Sequence, residues 1–190
     1  MQSASSPKPD NRFSVQPSHD CCDELVTQHH SKSGHGPVKD TEVVVLAVFQ
    51  KTNLVNGRVS VETFKKSDFS RSNVSVARRE FTSHSRFLDS VVKPQVVSKG
   101  ALVGVACATT SLIRAIKLTF PKEVPSPYRG ACVLDRVEHG DHDGHASIGE
   151  SEAVQGIKNS NTLGAVRTAI LADLADAFGE LTTPESVFPL

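Results

Sequence analysis

Two Val-rich apolar runs, Thr41–Phe49 (TEVVVLAVF) and Ala101–Ala108 (ALVGVACA), constrain this chain most tightly. Each is short and nearly unbroken, the pattern of a strand buried on both faces. Other segments carry weaker signals. Asn56-Gly57 marks a turn. After it, Arg58–Phe64 alternates, with Val59, Val61 and Thr63 on one side, as in a half-buried strand. Val74–Phe81 and Ala131–Val137 read as further strands. Ser83–Val92 has helical spacing and should stop at Pro94. Thr109–Ile116 should open a short helix, capped by Thr109 or Thr110. From Asn161 to Phe178, apolar residues recur at Leu163, Val166, Ile170, Leu174, Ala177 and Phe178, with Gly179 placed as a C-terminal cap. Strands and helices mix without a strict βαβ rhythm. The expected fold is α+β, a mixed, mostly antiparallel sheet with a C-terminal amphipathic helix packed on it.

Composition divides the chain. Only nine of residues 1–40 are apolar, while Ser, Pro, Lys, Asp and His dominate. Such a stretch buries too little to offset the entropy of ordering it. Residues 1–40 are therefore expected to be a disordered tail with a short helical turn at Cys22–Gln28, and residues 41–190 a single domain. No apolar run approaches the length of a membrane span. The N-terminus lacks the charged-then-apolar pattern of a signal peptide. Four cysteines are too few for a disulfide scaffold, and Cys107 and Cys132 sit in apolar runs as small hydrophobes. A cytoplasmic location is the expectation.

GRVSVETF at residues 57–64, Ser75-Val76 and the later His145–Ile148 (HASI) carry a resemblance. The stretch from Val43 to Ile148 resembles a family of short, uncharacterised bacterial proteins. Those have a similar G-R-x-S-x-x-F segment and, later, a strand, an Asp-containing loop and a His-Ala-x-Ile-like segment. The resemblance implies one bacterial domain starting near residue 41 and no particular chemistry.

The densest polar cluster is Glu138–His145 (EHGDHDGH). Imidazole and carboxylate are ligands that zinc, nickel or manganese would take. His139, His142 and His145 are the candidate metal ligands, with Glu138 or Asp141 as base for a metal-bound water. The spacing matches no zinc hydrolase motif, and a solvated polar loop is the plainer reading. His145 alone reads as a hydrogen-bonded histidine at a strand edge, near Arg58 or Ser60 if the strands pair suitably. Cys107 precedes a helix start, where a thiol can become a nucleophile; an inert core cysteine is the plainer reading. Residues 51–99 hold ten basic and four acidic side chains, while residues 130–190 hold three basic and ten acidic ones. The halves can attract each other within the fold. They can also present a basic face to phosphate or to an acidic partner, for which Arg58, Arg78 and Arg79 are the candidates. Phe64, Phe69, Phe81 and Phe87 lie among these charges, a mixture that single-stranded nucleic-acid platforms use.

No phosphate loop, dinucleotide fingerprint or paired acid and base is present. The leading expectation is a non-enzymatic interaction module with another protein as partner. The alternatives are a metal-dependent, hydrolase-like enzyme using the His139–His145 loop, and nucleic-acid binding through residues 51–99.

Overall fold

The computed structural model describes residues 35–52, 54–118, 128–135 and 144–188. The fold is α+β, and its centre is a five-stranded sheet ordered β5-β1-β4-β7-β6 with every neighbouring pair antiparallel. β1 (Val43–Phe49) and β5 (Leu102–Thr109) are the two apolar runs, paired along the whole of β1. β4 (Val74–Arg78) lies between β1 and β7 (His145–Glu150), and β6 (Ala131–Leu134) completes the order beyond β7.

Both sheet faces are covered, which is why β1 reads as almost continuously apolar. One face sends Val44, Leu46, Val48, Val74, Val76, Ala106 and Ile148 into the larger core cluster. There they meet Ala153 and Val154 of the short helix α5 (Glu152–Gln155) and Val166, Ile170, Leu171 and Leu174 of the C-terminal amphipathic helix α6 (Ser160–Ala177). The Asn159 side chain caps that helix by accepting a hydrogen bond from the Thr162 N–H at 3.0 Å. Arg167 ties α6 to β7 through a two-pronged bond to the buried Glu150 carboxylate, at 2.7 and 2.8 Å. The other face sends Val45, Phe49, Ala77 and Val105 against Phe87, Val91, Val92 and Phe188.

Several local expectations are corrected. The predicted strand Arg58–Phe64 reduces to β3 (Arg58–Val59), paired only with β2 (Leu54–Val55) in a separate hairpin. Beyond Val59 the segment has no ladder partner, and a 3-10 turn at Val61–Thr63 carries Phe64 into the core. The helical run that begins with α2 (His84–Phe87) does not stop at Pro94. It passes through a π-turn at Leu88–Val92 and continues as α3 (Lys93–Lys99), with Pro94 in its first turn. The Lys93 N–H donates to the Leu88 carbonyl five residues back, so the run reaches Pro94 through the wider π spacing. Gly179 does not close α6 in a left-handed conformation: Phe178 leaves the helix extended, and the Gly179 N–H instead donates to the Cys107 carbonyl at 3.0 Å.

Order also starts before Thr41. Val38 is buried, and the carbonyls of Gly36 and Val38 accept from Arg78 and Arg114. Residues 1–34 of the expected tail, with its helical turn, lie outside the described residues. Cys132 in β6 is disulfide-bonded, so it is not the free core thiol expected, and the cysteine-based argument for a reducing compartment loses its footing. No helix among the described residues is long and apolar enough to cross a membrane.

The most consequential contact was invisible in the linear pattern. Arg78, at the end of β4, is fully buried. Its Nε and Nη2 donate to the Glu42 carboxylate at 2.7 and 2.8 Å, and its Nη1 lies 3.3 Å from Asp135. Removing one partner of such a pair strands a charge away from water. Glu42→Ala should lower the unfolding free energy by about 3–5 kcal/mol, read as a lower urea midpoint at unchanged m-value. A loss below about 1 kcal/mol, within the range of an exposed pair, would show that this ion pair does not hold the sheet.

Candidate ligand-binding cleft between two central strands

At the end of the sheet away from Arg78, β1 and β4 part. Their ladder covers only two positions, Val44 opposite Arg78 and Val45 opposite Ala77. Continued, it would set Ala47 opposite Ser75. Successive residues of a strand turn their backbone groups to opposite sides. The Arg78 N–H points to β7, where it donates to the Gly144 carbonyl at 2.7 Å, so the Ser75 N–H and C=O are turned toward β1. The Glu42 carbonyl points to the β5 side, accepting from the Thr110 N–H, so Ala47 turns its backbone groups toward β4. Ala47 and Ser75 thus face each other across an unzipped stretch.

Local chemistry holds the stretch open. β1 bulges between Val48 and Phe49, and the Phe49 N–H donates to Thr52 Oγ1 at 3.1 Å instead of to a neighbouring strand. On the other side, the Asn73 N–H donates to the Asp68 carbonyl of α1 (Lys66–Ser70) at 2.8 Å. Ser72 turns the corner with φ +55° and packs on Gly149 of β7, where a Cβ would come within 2.6 Å of the Ser72 Cα. Only a glycine at 149 admits this turn.

The gap is a cleft of about 300 Å³. Its rim carries Lys51, Lys65 and Lys99 against the carboxylates of Glu62 and Asp68. Lys51 Nζ donates to the Ser98 carbonyl at 2.8 Å, and Lys99 Nζ to Gln95 Oε1 at 2.6 Å, near the Phe49 ring. Partial burial pushes the Lys99 amine below the ordinary lysine range; Asp68 opposes the shift and Lys65 adds to it. Ser75 is exposed in the same cleft, and its Oγ lies 2.9 Å from His145 Nε2. In register Ser75 faces Ser147, so this is a diagonal contact between side chains on one face.

His145 therefore meets Ser75, not Arg58 or Ser60. Glu138, His139, Asp141 and His142 lie outside the described residues, and the zinc reading rests on them. Among the described residues no group of three or more metal-ligating side chains comes together. The segment is flanked by Asp135 and Gly144, both at the Arg78 end of the sheet.

Cys107 lies inside β5, and α4 begins only at Thr110 (Thr110–Arg114). Burial pushes its thiol up, with Arg79 opposing, which works against the thiolate a nucleophile needs. Two of the three candidate phosphate-binding arginines serve the fold through main-chain bonds: Arg58 donates to the carbonyls of Asp176 and Phe178, and Arg79 to that of Val187. The third, Arg78, is sealed beneath the surface, so it cannot reach a partner. Phe64, Phe69 and Phe87 are core residues, and Phe81 stacks on His35 beneath the Arg78 guanidinium. They offer no stacking platform.

Lys51, Lys65, Lys99 and Ser75 were not singled out as a site in the sequence. The three lysines are legible only as part of a basic segment, because their convergence depends on how the end of β1, the start of α1 and the end of α3 meet. With its thiol raised and half-buried, Cys107 should be alkylated by iodoacetamide at pH 8 several-fold more slowly than a free cysteine, followed by mass spectrometry of its peptide. Faster modification would restore it as a reactive thiol.

Comparison with protein-family models, with curated proteins and with solved structures returns no match. The resemblance to short bacterial proteins therefore stands on its motifs alone.

Proposed function

We propose that this chain is a binding module that takes a carboxylate or phosphate group of its ligand into the β1–β4 cleft. One observation carries the reading: three lysines, in excess over the carboxylates of Glu62 and Asp68, and the backbone of two unzipped strands surround one polar cavity. Anions bind where N–H donors and ammonium groups converge in a partly desolvated space, since each charge-assisted bond is stronger than a neutral one. The depressed Lys99 amine adds support, because an amine crowded by burial gains most from an arriving negative charge. The basic excess of residues 51–99 then has two uses. Arg58, Arg78 and Arg79 hold the fold together, and Lys51, Lys65 and Lys99 border the cleft. A platform for single-stranded nucleic acid finds less support, since Phe64, Phe69 and Phe87 are in the core and Phe81 is stacked between His35 and the Arg78 guanidinium.

Titration calorimetry with pyrophosphate at low salt tests the reading. Lys99→Met should weaken binding by about 5–10-fold, the worth of one charge-assisted bond. Lys51→Met together with Lys65→Met should weaken it further, and added salt should weaken the parent. Lys93→Met, outside the cleft lining, serves as the control. Equal affinity in the Lys99 and Lys93 variants would place the anion elsewhere and defeat the proposal.

A further inference from the structure

We infer that Ser75 and His145 are a nucleophile–base pair that hydrolyses carboxylic esters whose acyl part carries a negative charge. This goes beyond binding, and it rests on the cleft reading only for the substrate's charge.

Three features separate this pair from an ordinary bond across a sheet surface. The hydroxyl is exposed in a cavity and already sits at hydrogen-bond distance from an imidazole, 2.9 Å from Nε2. That is the reach a general base needs to take the proton of an attacking hydroxyl. Secondly, the Ser75 N–H faces the gap between β1 and β4 and does not belong to their ladder. A nucleophile's own N–H beside its attacking oxygen is a donor for an oxyanion. Thirdly, Lys51, Lys65 and Lys99 line the neighbouring wall and outnumber the carboxylates of Glu62 and Asp68 beside them. That excess of positive charge favours both an anionic acyl group and the charge that develops at the carbonyl oxygen.

The chemistry balances without another reactant besides water. In the Nδ1-protonated tautomer, His145 Nε2 accepts the Ser75 proton as Oγ bonds to the ester carbonyl carbon. The carbonyl π pair moves to oxygen. Collapse breaks the acyl carbon–alkoxy oxygen bond, and the proton on Nε2 passes to the leaving alcohol. Water then attacks the acyl-serine, giving its proton to Nε2, and that proton returns to Ser75 Oγ as the carboxylic acid departs.

The test uses the full chain with the mono-4-nitrophenyl ester of adipic acid, whose own carboxylate is too distant to expel nitrophenolate readily, and 4-nitrophenyl acetate as the uncharged control. Nitrophenolate release is followed together with the mass of the Ser75 peptide. The expected result, after subtraction of each ester's buffer rate, is turnover of the adipoyl ester faster than the acetyl ester, and an adipoyl adduct on Ser75. Ser75→Ala should reduce release to the buffer rate. His145→Gln should slow acylation by about 100-fold or more, the range of a general base. Circular dichroism and pyrophosphate titration establish that both variants remain folded with an intact cleft. Release unchanged in Ser75→Ala overturns the inference, as does a folded parent that releases no nitrophenolate above buffer, whether or not it binds pyrophosphate. Ser75-dependent release without pyrophosphate binding supports the dyad and overturns the binding reading instead.

Discussion

The ion pair between Glu42 and Arg78 stands where the two parts of the sheet meet. β5 and β1 form one part, and β4, β7 and β6 the other. Between them lie two ladder positions, both beside Arg78. A ladder that short contributes little by itself, so the join is held by these charges together with the apolar clusters that cross it on both faces. Burial makes the pair costly to disrupt, because neither charge has water to return to while the sheet stays closed. Asp135 and the Gly36 carbonyl occupy the remaining reach of the guanidinium. The N-terminal approach to β1 and the exit from β6 are thereby fastened to the same point.

A clamp at one end leaves the other end free to separate, and the cleft is the consequence. The β1 bulge and the Ser72 corner on Gly149 carry the two strands apart over a few residues. Backbone groups that a closed sheet would consume are then turned toward a cavity. Lysines from three different segments border it. Seen this way, the charge asymmetry of the chain has a physical distribution. Arginines, with their planar forks, sit at main-chain carbonyls and at the buried carboxylate. The cleft lysines, with compact charge and flexible stems, border the cavity, although Lys51 also reaches the Ser98 carbonyl and Lys99 the Gln95 side chain.

Much of the fold was legible because it follows from burial. The runs forming β1 and β5 are apolar on both faces, and a helix such as α6 needs one apolar stripe, as Val166, Ile170 and Leu174 provide. The misreadings are equally physical. Arg58–Phe64 alternates like a strand but finds no ladder partner after Val59. Pro94 is a stop signal that a π-turn neutralises. Arg78 reads as a surface charge at a strand end until Glu42 and Asp135 fold over it. The His-rich segment drew attention by composition, yet of the three histidines proposed as ligands, the one within the described residues, His145, faces a serine.

The sequence by itself determined the class of fold, the two central strands, the long C-terminal helix and the excess of positive charge in residues 51–99. Those properties depend on which residues must leave water, and periodicity records that directly. Tertiary structure alone decided which charges were spent on the fold and which were left at a site. Ser75 and His145 are 70 residues apart in the chain, and Arg78 and Glu42 are separated by 36. Strand order and register bring such pairs together, and neither is written in local pattern, because pairing is settled only when every strand has chosen its neighbours.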